Sequence, residues 1–138
     1  MSQIAQARQR LDQVTGLAQV LDASWMAFDL VVAVCEHCQE GSHELFPAFA
    51  FAAAAAAEGR ALIASAPSLP PEPVPAARCD EMQAGAEETA DALADLAEAL
   101  HRRLSAACGP AGEGPDAVAC AQAAFQAAHV GKLLAMEG

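Results

Sequence analysis

Residues 3–40 read QIAQARQRLDQVTGLAQVLDASWMAFDLVVAVCEHCQE, and this stretch decides the fold class. Its apolar side chains recur at alternating steps of three and four residues, the spacing of one face of an α-helix. The repeat consists of Ile4, Ala7, Leu11, Val14, Ala18, Leu21, Trp25, Phe28, Val32 and Cys35. This repeat continues for more than about four heptads, a length typical of a coiled-coil seam or a long bundle helix. We therefore predict one long helix over residues 3–40.

The composition of the rest of the chain also favours helices. Alanine is by far the commonest residue, tyrosine is absent, and aromatic residues make up only 4% of the chain. Strands are enriched in β-branched and aromatic residues, whereas alanine, leucine, glutamine and glutamate favour helices. We therefore predict an all-α protein.

Breaks rich in proline and glycine divide the chain into four predicted helices. After the first helix we predict helices at about 44–66, 79–107 and 116–136, with a proline-rich, extended connector over residues 67–78. Two short turns on either side of one long connector predict an antiparallel four-helix bundle that forms a single domain over residues 1–138. The inward face expected for the last helix consists of Val118, Ala121, Phe125, Ala128, Leu133 and Met136.

Charge and targeting signals exclude several classes of partner. Seven basic residues against 18 acidic ones give the 138-residue chain a net charge of −11, which argues against binding nucleic acid or an anionic membrane. The start of the chain has no signal-peptide pattern, and the odd number of cysteines, five, argues against a disulfide framework. Charged residues interrupt the most apolar stretch, 45–66, so we predict no membrane span. Because the chain lacks a signal-peptide pattern and a disulfide framework, we also predict a cytoplasmic protein with reduced cysteines.

The length of the first predicted helix raises the question of what covers its N-terminal part. This helix is longer than its neighbour, so the apolar seam from Ile4 to Val14 lacks a partner unless the helix at 79–107 covers it within the chain. A second copy is the alternative cover, and on this basis we predict a homodimer.

A cluster of metal-binding residue types lies at the end of the first predicted helix. Cys35 and Cys38 are three residues apart and share a helix face, and His43 follows across the turn. Thiolate and imidazole ligands suit zinc or copper, so these residues form a candidate metal or redox site. The other interpretation is that both cysteines are small, buried apolar residues.

A second candidate site combines charged and aromatic residues on apolar helix faces. Arg60 and His129 fall on the apolar sides of their helices, where a charge needs a partner, and Asp29 is a candidate partner for Arg60. Trp25, Asp29, Arg60 and His129 could line a pocket for a small anionic or aromatic ligand. The alternative is a salt bridge for Arg60 and a core histidine at position 129.

No sequence motif organises catalytic chemistry. The chain has no glycine-rich phosphate loop, no Gly-x-Ser-x-Gly elbow and no His-Glu-x-x-His motif. The strongest pattern concerns helix packing, so we predict a non-enzymatic interaction or scaffold protein with a protein partner and no cofactor. A thiol or metal protein and a small-ligand-binding bundle are the alternatives.

Overall fold

The computed structural model describes residues 2–41, 46–70, 85–112 and 114–136. The all-α prediction is confirmed, because these residues contain helices and no strand. The helices are α1 (Gln3–Gln13), α2 (Leu17–Gly41), α3 (Phe46–Ala64), α4 (Ala86–Ala111) and α5 (Pro115–Met136). Residues 71–78 of the predicted connector and residues 79–84 of the helix predicted after it lie outside the described residues.

The prediction of one helix over residues 3–40 is wrong, because the chain breaks between α1 and α2. Val14 is extended, with a ψ of 146°, and Gly16 has a φ of +83°, a left-handed conformation that favours glycine. The backbone N–H of Thr15 donates a hydrogen bond to Oε1 of Gln19 (3.2 Å), which helps to start α2. The chain therefore reverses at this point, although the apolar repeat continues through it.

After this reversal α1 packs back against α2 and α4. Arg10 of α1 donates a 2.8 Å hydrogen bond to Asp22 of α2, and Ile4 and Leu11 are buried in the core. The seam from Ile4 to Val14 is thus covered within the chain by α2 and α4, and it offers no reason for a dimer. The predicted four-helix bundle is not confirmed, since a fifth helix completes the core.

The four longer helices contact one another in a ring. α2 packs against α3, α3 against α5, α5 against α4, and α4 against α2. α1 lies against α2 and α4 and so covers the side of the ring that these two helices form. The opposite side, formed by α3 and α5, is not covered by another helix of the described chain.

The core of the ring is built from leucine, valine, phenylalanine and many alanines. Phe28 and Phe49 are its largest fully buried side chains. Phe28 lies directly against Gly59, because a Cβ built on this glycine would be 2.5 Å from the Phe28 ring. The absence of a side chain at Gly59 therefore lets α2 and α3 approach closely.

Two stretches of the described chain, residues 17–39 and 47–64, are long and apolar enough to cross a membrane. The buried share of these windows is 56% and 44%. The core helices of soluble proteins pass the same test, and so do signal sequences, which the first stretch resembles because it lies near the N-terminus. The length and composition of these stretches are therefore weak evidence for a membrane span. The cytoplasmic location and the absence of membrane contact stay predictions.

Arg103 of α4 holds the break between α1 and α2 in place. Its guanidinium donates a 2.6 Å hydrogen bond to the carbonyl oxygen of Val14, at the negative C-terminal end of α1. Replacing Arg103 by methionine keeps the aliphatic length but removes this charged donor. We expect the free energy of unfolding to fall by about 1.5 kcal/mol.

The neighbouring Arg102 is exposed and provides the matched control. Arg102→Met makes the same change of charge, yet we expect it to shift stability by less than about 0.5 kcal/mol. Chemical denaturation of both variants measures the difference. Equal losses of stability would mean that overall charge, and not the bond to Val14, explains the effect.

Candidate functional site

The structure places the two helical members of the predicted metal or redox site in different environments. Cys35 is fully buried, whereas Cys38 is partly exposed. Burial, followed by the nearby Cys38 and Glu36, raises the pKa of the Cys35 thiol from 9.0 to about 12. The thiolate, which is the form that binds metals and attacks substrates, is therefore disfavoured at neutral pH.

The rest of the predicted metal site is not assembled in the described chain. His43 lies outside the described residues. Within residues 2–41, 46–70, 85–112 and 114–136, no three histidine, cysteine or acidic side chains come together in a group that could hold a metal ion. The thiol or metal site at Cys35, Cys38 and His43 stays a prediction.

Two other cysteines lie at the turn between α4 and α5. Cys120 is buried, and burial, then Cys108, then Asp116 raise the pKa of its thiol to about 11. The thiol of Cys108 donates a hydrogen bond to the carbonyl oxygen of Leu104, one turn earlier in α4 (3.3 Å). Burial therefore disfavours the thiolate of Cys120 at neutral pH.

The residues of the predicted ligand pocket are divided between two sides of the protein. Arg60 of α3 donates a 2.7 Å hydrogen bond to Asp29 of α2, so the predicted pairing of these two charges is present. The side chains of Arg60 and Asp29 are 34% and 16% exposed, respectively. Trp25 lies one turn before Asp29 and packs against the core. His129 is exposed on α5 and lines a groove to which Arg60 does not contribute.

Because its guanidinium is paired within the chain, Arg60 does not require an anionic ligand. The salt bridge to Asp29 is sufficient to explain why a charged residue, Arg60, lies on the apolar side of α3, so a ligand pocket is not needed to explain it. The ligand site at Trp25, Asp29, Arg60 and His129 nevertheless stays a prediction.

A groove between α1 and α2 could not be anticipated from the sequence. It has a volume of about 250 Å³ and exists only because α1 folds back onto α2. Arg10 lies at this groove, but its guanidinium is bound to Asp22 and lies 3.2 Å from the sulfur of Met26. The polar group best suited to hold a ligand is therefore occupied within the chain.

A wide, solvent-open groove lies between α3 and α5, on the uncovered side of the ring. Its volume is about 690 Å³. Its walls are formed by Phe51, Ala54, Ala55 and Glu58 of α3, and by Phe125, Gln126, His129 and Leu133 of α5. Phe51 and Phe125 are 62% and 71% exposed, which is unusual for side chains of this size.

The two helices run antiparallel along this groove. Asp116, at the start of α5, accepts hydrogen bonds from the backbone N–H and the hydroxyl group of Ser68, just after α3 (3.0 and 2.5 Å). The end of α3 therefore lies beside the start of α5. As a result, Phe51 and Phe125 lie near opposite ends of the groove, one on each helix.

The outward faces of α3 and α5 carry stripes of exposed residues at steps of four and three. The stripe on α3 consists of Pro47, Phe51, Ala54, Glu58 and Ala61, and that on α5 consists of Val118, Gln122, Phe125, His129 and Lys132. The three large apolar side chains that are exposed in the described part of the chain, Phe51, Val118 and Phe125, all belong to these stripes. We call the two stripes and the groove between them the α3/α5 face.

The exposed residues of α4 are very different, since an acidic stripe faces the solvent there. This stripe consists of Glu87, Glu88, Asp91, Asp95 and Glu98. In contrast, α3 and α5 together carry only two acidic residues, Glu58 and Asp116, and two basic ones, Arg60 and Lys132. The α3/α5 face is therefore an apolar, electrically neutral surface on a strongly acidic protein.

The sequence prediction for the last helix was wrong about which side is buried. Val118, Ala121 and Phe125 were expected to point inward, but all three are exposed. The buried stripe of α5 consists of Ala119, Cys120, Ala123, Ala124, Ala127, Val130 and Leu134. Two apolar stripes thus exist on one helix, and only the packing decides between them.

Comparison with known proteins adds no family and no relative: no protein-family model, no curated protein and no solved structure matches this chain.

Proposed function

We propose that the protein is a non-enzymatic interaction protein, and that its α3/α5 face binds a helix of a protein partner. The observation that carries this proposal is the exposure of Phe51 and Phe125 on the two walls of one groove. Exposed apolar patches rimmed by polar residues are typical of interaction sites. The acidic, reduced, cytoplasmic character predicted from the sequence is part of the same proposal.

The shape of the α3/α5 face suits a helix better than an extended peptide. A groove between two antiparallel helices accepts the ridge of a third helix, whose apolar residues repeat at the same steps of three and four. The small side chains of Ala54 and Ala55 leave room in the middle of the groove. A partner helix could therefore approach α3 closely and contact both phenylalanine rings.

The two phenylalanines have the properties of binding hot spots. Aromatic side chains bury a large area and have few rotatable bonds, so they contribute strongly to binding energy when a partner covers them. Their present exposure leaves most of that area in contact with water. Covering both rings is the largest gain in apolar burial that the described surface offers.

The charge of the α3/α5 face also limits the kind of partner. A basic partner is attracted to the acidic stripe of α4, whereas the neutral α3/α5 face has no net charge to attract either sign. The partner helix expected here is consequently apolar and close to neutral on its contacting side.

The test is a comparison of bound partners in the native cell. A tagged copy is expressed beside the untagged protein, and the proteins recovered with it are quantified for the wild type and for Phe51→Ser/Phe125→Ser. We expect at least a 10-fold loss of the specific partner in the double variant, since the loss of even one aromatic anchor costs on the order of 1.4 kcal/mol, which is tenfold in affinity.

A double variant on α4 provides the matched control. Asp91→Ser/Glu98→Ser also changes two exposed side chains to serine, and we expect it to retain the partner. Recovery of the same proteins in equal amounts with wild type and the phenylalanine variant would contradict the proposal. Loss of a partner only in the α4 variant would place the binding site on the acidic stripe instead.

A further inference from the structure

We propose that the partner of the α3/α5 face is a second copy of this chain, bound face to face about a two-fold axis. The inference rests on the function proposed above and specifies the partner of the same face. It differs from the dimer predicted from the sequence, in which the seam from Ile4 to Val14 formed the interface.

The first argument is that α1 covers one side of the ring of helices and leaves the opposite side uncovered in the described part of the chain. α1 covers the side of the ring formed by α2 and α4, and the opposite side, formed by α3 and α5, is left with exposed phenylalanines. A second copy laid on the α3/α5 face would cover that side with two helices. The dimer would then be a layered all-helical structure in which the α2/α4 side of each copy is covered by α1 and the α3/α5 side by the other copy.

The second argument is electrostatic. Two chains with a net charge of −11 repel each other, and the α3/α5 face is where this repulsion is weakest, because α3 and α5 together have no net charge. The acidic stripe of α4 and the acidic residues of α2 belong to helices that form the opposite side of the ring. A face-to-face dimer would keep these charges far apart and in contact with water, where salt screens them.

The third argument is shape, because the face is self-complementary. Phe51 and Phe125 lie at diagonally opposite corners of the groove, on α3 and on α5. The other two corners lack aromatic side chains and contain Glu58 and Ala61 on α3 and Lys132 and Leu133 on α5. A two-fold axis that lies in the plane of the face, parallel or perpendicular to the helices, brings the rings of the second copy over these corners. Both copies then use the same patch, as in any isologous interface.

The size of the face is sufficient for a dimer. α3 and α5 contain 19 and 22 residues, so they are about 28 and 33 Å long. Two adjacent helices of this length present a surface on the order of 600 Å² before their grooves are counted. Stable interfaces bury about 800 Å² per partner, and the two protruding phenylalanine rings supply part of the difference, since an aromatic side chain buries about 150–250 Å² when it is fully covered.

Sedimentation equilibrium of the purified full chain is the decisive measurement. We expect a reversible dimer for the wild type and a dissociation constant at least 10-fold higher for Phe51→Glu and for Phe125→Glu, because each change places a carboxylate in an apolar interface. Ser105→Glu adds the same charge to an exposed position on α4 and should leave the dissociation constant unchanged. Circular dichroism checks that each variant keeps the fold.

Lys132 provides a second, independent measurement, because it is the only lysine in the chain. In a face-to-face dimer, Lys132 of one copy lies over the α3/α5 face of the other. A photoreactive cross-linker attached to the amine of Lys132 should therefore react with α3 or α5 of the other copy in mixed light and heavy isotope samples, and mass spectrometry identifies the link between copies. A dimer in which Lys132 is linked only to α2 or α4 of the other copy would contradict the proposed interface.

Three results would overturn the inference. The first is a monomer at every concentration that can be reached, and the second is a dimer unaffected by both phenylalanine variants. The third is co-sedimentation of a monomeric wild type, but not of Phe125→Glu, with phosphatidylcholine vesicles, which would identify a membrane surface as the partner. If the wild type is monomeric but the phenylalanine-dependent partner in the cell is another protein, the second-copy inference fails while the proposed function stands.

Discussion

Replacing Gly59 by alanine should destabilise the protein by about 2 kcal/mol, even though alanine is the better helix former. The added methyl group would lie 2.5 and 2.6 Å from Cε1 and Cζ of Phe28, far inside van der Waals contact. Phe28 is completely buried, so its ring cannot move aside into solvent. Forcing α2 and α3 apart costs about 3 kcal/mol, which outweighs the gain of about 1 kcal/mol in helix propensity.

Gly131 provides the matched control on another helix. A Cβ at Gly131 would lie 3.7 Å from the Cβ of Ala97, an ordinary contact, so Gly131→Ala should stabilise the protein by about 0.5–1 kcal/mol. The two substitutions are chemically identical, yet we expect opposite signs in urea denaturation. Stabilisation by both would mean that the contact between α2 and α3 is looser than the one described here.

A second variant tests the cause of the effect. Phe28→Leu is destabilising by itself, because it removes part of a buried ring. If the ring is what rejects the methyl group, Gly59→Ala should cost less in the Phe28→Leu background, with a favourable coupling on the order of 1 kcal/mol in the double-mutant cycle. Strictly additive losses would show that the two sites do not interact.

The sequence predicts the helices well, because alternating steps of three and four apolar residues are a local property. It fails at residues 14–16, where the repeat passes through Val14 and Ala18 without interruption. The bond from Arg103 to Val14, 89 positions apart in the chain, fixes the reversal there. A tertiary contact of this kind leaves no periodic signal, and Gly16 was the only local sign of it.

The candidate site was missed for a related reason. α5 is rich in alanine on every side, so the stripe containing Val118 and Phe125 and the stripe containing Val130 and Leu134 are both consistent with an inward face. Which stripe is buried depends on how α5 meets α3 and α4. The sequence does show that α4 is rich in acidic residues, whereas α3 and α5 carry few charges. This contrast in charge is the signal that could have identified the neutral face.

Raising the pH from 9 to 12 should destabilise the folded protein steeply, and Cys35 should account for much of the loss. The pKa of this thiol is 9.0 when the chain is unfolded and about 12 in the folded protein, where burial disfavours the thiolate. Above pH 9 the unfolded chain therefore loses a proton that the folded chain retains. The stabilising effect of the neutral, buried thiol is complete below pH 9 and is lost as the pH approaches 12.

The composition of the chain makes this effect measurable. There is no tyrosine and only one lysine, so few groups other than thiols titrate in this range. Between pH 8 and 11 we expect Cys35 to contribute a loss of about 3 kcal/mol to the free energy of unfolding. Cys120, whose pKa is raised to about 11, adds a smaller loss in the same direction.

Urea denaturation of the wild type and of Cys35→Ala at pH 8 and pH 11 isolates the contribution of Cys35. The variant starts from a lower stability because it loses a buried sulfur, but its stability should fall less steeply with pH. Cys38→Ala, one turn along α2, keeps Cys35 and should retain the steep fall.

Parallel pH profiles for the wild type and Cys35→Ala would mean that the folded protein accommodates a thiolate at position 35. Since a thiolate is what zinc, copper and redox chemistry require, that result would favour the thiol or metal hypothesis over the interaction protein proposed here.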